Sequence, residues 1–174
     1  MGNFEIIKVS QFYCEYLRKF DDKVYFNSNT KSTRPYIGVL FDIDGIKFFA
    51  PLSSPKPKHR IMRSMMDFIK IDDGRLGVIN LNNMIPVLEN HYQKLDLDKT
   101  PETKAELEYF TLLKKQLQWL NSHIIQIRKK SLKLYNMYKS NKLPENIKLR
   151  CCDFNLLLSK CEEYNKVRMW NIWI

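Results

Sequence analysis

Glycine occurs five times and proline seven times in 174 residues. That scarcity excludes collagen-like and low-complexity chains, and no period recurs that would make a solenoid. No apolar run is long enough to cross a bilayer, and the opening Met-Gly-Asn-Phe-Glu has neither the basic stretch nor the apolar core of a signal peptide. Gly2 lacks the Ser or Thr that myristoylation asks for, because Ile6 stands there. A cytoplasmic location with no membrane partner is therefore expected. Histidine is rare, and His59, His91 and His123 are scattered. Cys14 stands alone, and Cys151, Cys152 and Cys161 cluster without a C-x-x-C pair or a histidine at zinc-ligand spacing, so packed thiols and no metal or other cofactor are expected. A phosphate-cradling glycine loop, G-x-S-x-G, H-E-x-x-H and a carboxylate cluster are all missing. Nucleotide-binding loops, serine hydrolases of that type, zinc proteases and two-metal nucleases drop out with them.

Positive charge is what the chain has in excess. Lys and Arg number 29 against 19 Asp and Glu, a net charge of +10. Such a balance points to a polyanionic partner and says nothing about fold. The length and the 44% hydrophobic content fit one domain over residues 1–174.

Alternating, β-branched segments predict strands at 4–9, 36–43, 46–52, 67–71 and 76–81. Asp44-Gly45 is the strongest hairpin signal, and Asp72-Asp73-Gly74 is expected to turn the fourth strand into the fifth. A helix is predicted over 10–20 behind Ser10, and 21–33 reads as a loop. From Thr100-Pro101-Glu102 onward, Phe110, Leu113, Leu117, Leu120, Ile124, Ile127, Leu134 and Tyr138 fall at steps of three and four, interrupted only by Ser131, which predicts one long amphipathic helix. A final helix through Tyr164 follows Cys152-Asp153, and the apolar tail 167–174 is expected to dock. Strands first and helices later indicate α+β, with a compact, curved, mostly antiparallel sheet, a long C-terminal-half helix and flanking helices.

The densest chemistry lies just after the third strand, in Pro51-Leu52-Ser53-Ser54-Pro55-Lys56-Pro57-Lys58-His59-Arg60. Three prolines stiffen that stretch and hold two hydroxyls, two ammonium groups, an imidazole and a guanidinium in a narrow region. Between Lys47 and Lys70 six basic residues, Arg63 among them, face one acid, Asp67. Hydroxyls and cations so placed suit a phosphodiester and its pentacovalent transition state. A second stretch, 114–150, holds ten Lys or Arg, including Lys114, Lys115, Arg128, Lys129, Lys130 and Lys133, against Glu145 alone. Both stretches are expected to contact a polyanion such as nucleic acid.

Four blocks carry a resemblance: Tyr13-x-x-Tyr16-Leu17-Arg18-x-Phe20-Asp21, Arg34-Pro35-Tyr36-Ile37-Gly38-Val39, Phe49-Ala50-Pro51-Leu52-Ser53-Ser54-Pro55-Lys56-x-Lys58-His59, and Leu76-Gly77-Val78-Ile79-Asn80-Leu81-Asn82-Asn83-Met84-Ile85-Pro86. In order and spacing the chain resembles the ToxN/AbiQ endoribonucleases, toxins of type III toxin–antitoxin systems that act in abortive phage infection. The resemblance implies a fold similar to MazF/Kid toxins and metal-independent cleavage of single-stranded RNA. It implies inhibition by a small, repeat-encoded pseudoknot RNA that the toxin processes, in an RNA-bridged hetero-oligomer. It also implies a catalytic set of Ser53, Ser54, Lys56, Tyr13 and Arg34. Two positions depart from the family pattern, Ser53 for a frequent Thr and Arg34 for a frequent Lys, and an arginine at the latter is a poor proton carrier. Tyr13 is then expected to place or stack a nucleotide, and Lys56 or His59 to remove the 2′-proton. A non-catalytic RNA-binding regulator is the alternative. DNA binding through the long helix is disfavoured, because its cations spread over many turns.

Overall fold

The computed structural model describes residues 2–25 and 35–171, with side chains as far as Lys166. Strand β1 (Glu5–Val9) leads into α1 (Gln11–Arg18), and β2 (Tyr36–Ile43) and β3 (Ile46–Ser53) form the predicted hairpin. Asp44 and Gly45 both have positive φ, +51° and +85°, and the Asp42 carboxylate accepts from the Gly45 N–H at 2.8 Å. This is the turn geometry whose twist matches paired strands. After α2 (Pro57–Ile61) come β4 (Phe68–Ile71), β5 (Gly77–Asn80), β6 (Ile85–Val87) and β7 (Tyr92–Lys94). The sheet runs β4-β5-β3-β2-β1-β7, every pairing is antiparallel, and β6 adds to β3. The α+β expectation holds. Strands β6 and β7 were not expected; at three residues each they are too short to show an alternation.

Strand β3 is the spine. Its first half pairs with β6, Lys47 to Phe49 against Val87 to Ile85, and its end pairs with β5, Leu52 and Ser53 against Ile79 and Val78. Pro51, which has no N–H to offer, sits where the partner changes. Along its other edge β3 pairs with β2 throughout, with a shift in register between Ile37 and Phe41.

The long helix is instead two, α3 (Lys104–Ser122) and α4 (Ile124–Lys139). A continuous helix would give the Trp119 carbonyl to the His123 N–H. Here that carbonyl is taken by Ser122 Oγ at 2.8 Å and His123 Nδ1 at 2.8 Å, while the His123 N–H moves to Leu120 O. His123 adopts φ −117°, ψ 17°, and its ring stacks on Trp119 at 3.9 Å. Side-chain competition for backbone groups of this kind breaks helices. The true start of α3 is also later than expected: Thr103 accepts from the Glu106 N–H at 3.1 Å, a cap with its acid at the third helical position.

Helix α4 crosses β2, and Tyr135 completes an aromatic cluster with Phe41 and Phe48, whose rings stack at 4.7 Å. Two further helices follow, the single-turn α5 (Glu145–Lys148) and α6 (Phe154–Asn171); α6 packs on β6 and α1. The tail expected to dock continues α6 to Asn171, and its side chains lie outside the described residues. All four cysteines are buried and unpaired; burial pushes the Cys14 and Cys161 thiols up to about 11, so they behave as small apolar groups.

Candidate active site

The hydroxyl pair sits where β3 ends. Ser53 is still a strand residue, opposite Val78 of β5, and it is buried. Asn80 fixes it: Nδ2 donates to Ser53 Oγ at 2.9 Å and to the Pro51 carbonyl at 3.2 Å. Ser54 is the first residue beyond the strand, and its side chain is exposed, as are those of Lys56, Lys58, Arg60 and Arg63. Pro57 starts α2 at the position where a missing N–H costs nothing, so Lys56 becomes its cap residue. The His59 N–H returns to Lys56 O at 2.9 Å, and Lys70 Nζ holds the Arg60 carbonyl at 3.0 Å. Ser54, Lys56, Lys58 and Arg60 are thus presented on a backbone restrained at both ends.

Two glycines hold this loop from behind. Gly77, at φ +105°, lies so close that a Cβ there would overlap the Ser53 carbonyl oxygen and come within 3.1 Å of the Ser54 carbonyl carbon. Gly74, at φ +86°, faces the His59 carbonyl in the same way. Only residues without a Cβ admit both the conformation and the approach. Asn80 and Gly77 both lie in the 76–86 motif, but nothing in their spacing shows that they support Ser53, because that support depends on strand pairing.

His59 is 3% exposed, and its Nδ1 has no hydrogen-bond partner. Burial, with the Lys58 and Lys56 ammonium groups beside it, holds its pKa below the ordinary imidazole value. An imidazole covered in this way is not open to the RNA contact expected of it.

Other expected residues are placed elsewhere. Tyr13 is wholly buried on α1, its hydroxyl donates to Pro86 O at 2.7 Å, and its ring stacks on His91 at 5.0 Å. Burial raises its phenol far above the usual range. With no face uncovered, it serves the core instead of stacking on a nucleotide. Arg34 lies outside the described residues; the chain enters the sheet at Pro35, whose carbonyl accepts from the Leu52 N–H at 2.9 Å, one residue before Ser53.

The second basic stretch divides. Arg128 reaches Gly2 O at 2.7 Å and lies over the Phe4 ring, and Lys130 Nζ is held by the carbonyls of Met65 and Phe68 at 2.7 and 2.8 Å. Lys114 pairs with Asp98 at 2.9 Å, and Arg150 with the buried Asp67 at 3.1 Å. Arg128, Lys130 and Arg150 act within the fold, whereas the Lys114–Asp98 pair is exposed on both sides and adds little to stability. Lys115, Lys129 and Lys133 are exposed and form no ion pair among the described residues. No group of three His, Cys, Asp or Glu among the described residues is placed to hold a metal ion, and no helix is long and apolar enough to cross a membrane.

The model of the family described as toxin ToxN of the type III toxin–antitoxin system matches residues 5–162. The chain belongs to the ToxN family. An endoribonuclease ToxN of Bacillus thuringiensis subsp. kurstaki is 35% identical over 162 residues, covering 91% of this chain and 82% of that protein. Endoribonuclease AbiQ of Lactococcus lactis subsp. lactis is 32% identical over 171 residues, covering 91% and 87%. Among solved structures, one from work on selective inhibition of a type III toxin by a non-coding RNA pseudoknot superposes with a TM-score of 0.81 at 33% identity, covering 94% of this chain and 99% of that one. The structure of AbiQ, described as a lactococcal anti-phage endoribonuclease, gives 0.79 at 27% identity, covering 95% and 99%. The 5–162 match spans the hydroxyl loop, Gly77, Asn80 and both basic stretches.

Proposed function

We propose that this ToxN-family chain is a single-domain cytoplasmic endoribonuclease toxin. It cleaves single-stranded RNA without a metal ion and is restrained by a small pseudoknot RNA that it processes. The observation that carries the reading is the exposed pair Ser54 and Lys56 on a loop clamped by Asn80, Gly77 and Lys70; the names of the relatives support it. The substrate's 2′-oxygen attacks the adjacent phosphorus, the bond to the 5′-oxygen breaks, and that oxygen leaves with a proton. The products are a 2′,3′-cyclic phosphate and a 5′-hydroxyl. Ser54 donates to a non-bridging oxygen, and the buried Ser53 fixes the backbone beneath it. Lys56 neutralises the developing charge, as a positioned donor does. Arg34 holds a flanking phosphate, and the 2′-proton goes to the Lys56 amine, which thereby becomes the ammonium that meets the developing charge; His59 is too deeply covered to take it. The antitoxin lies over the same loop and over Lys115, Lys129 and Lys133, bridging toxin copies in the inhibited assembly.

The test is cleavage of a labelled RNA in excess EDTA by the unaltered protein and by Ser54→Ala and Lys56→Ala. Each variant is expected to lose roughly a hundredfold or more in turnover, the size of one missing transition-state hydrogen bond, while still binding RNA. DNA, which lacks the attacking hydroxyl, should be left intact. RNA bound but never cut by the unaltered protein would make this family member a regulator that sequesters RNA. Undiminished cleavage by both variants would move the site off this loop.

A further inference from the structure

Among the surface clefts of the described residues, three differ in charge. One of about 660 Å³ is lined by Glu5, Asp96 and Asp98 with Lys94, and one of about 590 Å³ by Asp96, Glu102 and Glu106 with Lys8 and Lys99. In both, carboxylates outnumber the ammonium groups. The third, about 460 Å³, has no carboxylate in its lining. It is formed by Lys8 and Val9 at the end of β1, Ser10 to Phe12 at the start of α1, and Asn90 to Gln93 before and within β7.

Phe12 is the feature of this cleft that burial does not explain. It is 79% exposed, on a helix whose next residue, Tyr13, is entirely buried. The cleft floor is rigid: the Ser10 N–H donates to His91 O at 2.7 Å, and the His91 ring is held between the stacked Tyr13 ring and the edge of Tyr164. An open aromatic face at a preformed cleft, with the Lys8 ammonium and the exposed amides of Asn90 and Gln93 around it, matches what an unpaired base needs. The ring stacks, the amides meet the base edge, and the cation meets the phosphate.

Topology places the cleft in line with the hydroxyl loop. Tyr36 of β2 pairs with Pro51 on one side and Ile7 on the other, and both neighbours run antiparallel to β2. The end of β3 at Ser53, the start of β2 and the end of β1 at Val9 therefore share one end of the sheet, and Tyr92 of β7 lies opposite Val9. Adjacent strands are about 4.8 Å apart, so β1 lies about 10 Å from β3 along that end, within reach of a few nucleotides.

We infer that the Phe12 cleft is a subsite for an unpaired base of the substrate RNA, a few nucleotides from the phosphate held at Ser54. This rests on the reading of Ser54 and Lys56 as the cleavage site. The base stacks on Phe12, and Lys8 contacts its backbone. The subsite then sets how tightly and in which register a strand is held, not the rate of the chemical step.

The experiment uses the full chain and a short single-stranded RNA with one cleavage site, carrying an abasic nucleotide at each flanking position in turn. In the unaltered protein one position is expected to be sensitive. Its abasic form should raise KM roughly five- to hundredfold, the size of one missing base stack, with kcat little changed. Phe12→Ala should raise KM on intact RNA by the same factor and abolish the sensitivity at that one position, and Phe12→Trp should restore both. Unchanged KM in Phe12→Ala, or an abasic profile identical in variant and unaltered protein, would overturn the inference. A binding arm keeps this separate from the cleavage reading. Ser54→Ala protein with 2-aminopurine at the sensitive position should show stacking-induced quenching that Phe12→Ala removes, whether or not Ser54 proves catalytic.

Discussion

Replacing Gly77 by alanine tests whether the hydroxyl loop is positioned from behind. Gly77 has φ +105°, and a methyl group there would overlap the Ser53 carbonyl oxygen and lie 3.1 Å from the Ser54 carbonyl carbon. Two costs follow. An L-residue held at such a φ is strained by about 1 to 3 kcal/mol. Overpacking against backbone, which cannot turn aside as a flexible side chain can, adds about 1 to 3 kcal/mol more. Together they come to about 2 to 6 kcal/mol, which a domain in the middle or upper part of the usual range of about 5 to 15 kcal/mol survives mostly folded. The strand end is not so tolerant, because Ser53 and Ser54 must back away by about 1 Å, and a displacement of that size from productive geometry costs roughly a hundredfold in rate. Gly45→Ala is the internal control. Gly45 has φ +85° but nothing within 4 Å of an added Cβ, and it sits in the β2–β3 turn at the far end of β3. It should lose about 1 to 2 kcal/mol of stability and no activity. Urea melts followed by circular dichroism give the stabilities, and single-turnover cleavage of a labelled RNA gives the rates. A folded Gly77→Ala protein whose rate stays within about threefold of the unaltered one would refute the claim that this close approach positions the hydroxyls. So would a Gly45→Ala protein that loses activity equally.

The divided basic stretch and the covered imidazole each make a separate prediction. Lys130→Met leaves the carbonyls of Met65 and Phe68 without their donor. It should cost about 1 to 3 kcal/mol in urea melts while leaving the salt slope of antitoxin binding unchanged. Lys129→Ala with Lys133→Ala should do the reverse, keeping stability and flattening the plot of log affinity against log salt by about one unit for each phosphate no longer neutralised. For His59 the folded pKa lies below the unfolded value of about 6.5, so on acidification the unfolded chain takes up the proton first. The stability tied to the neutral ring is complete above about pH 6.5 and drains away as pH falls toward the folded pKa. The urea midpoint of the unaltered protein should therefore drop between pH 7.5 and 5.5 by more than that of His59→Gln, and equal drops would remove His59 as the cause.

Much of this protein was written locally. The β2–β3 hairpin follows from Asp44-Gly45 between alternating strands, and the edges of β2 follow from the same pattern. The leaning toward a polyanionic partner follows from the net charge alone. The hydroxyl loop was legible because three prolines, two serines and three cations fall within a few residues of a strand end, and because the Phe49 to His59 motif resembles that of a family to which the chain does belong. The break at His123 was also local, but the apolar period passes over it unchanged; the signal was in the polar atoms of Ser122 and His123 and not in the periodicity. Tertiary structure decided the rest, since each outcome depends on which distant segment comes alongside. Lys130 and Lys133 read alike on a helix face, yet one Nζ meets the carbonyls of Met65 and Phe68 and the other meets water. Phe12 and Tyr13 are adjacent aromatics, and only the placement of Pro86, His91 and Tyr164 makes one a core residue and leaves the other open. Gly77 and Asn80 support Ser53 because β5 pairs with the end of β3, in a register that sets Val78 opposite Ser53 although the two are distant in sequence. Burial, ion pairing and close approach are properties of neighbours in space, and a single sequence orders neighbours only along the chain.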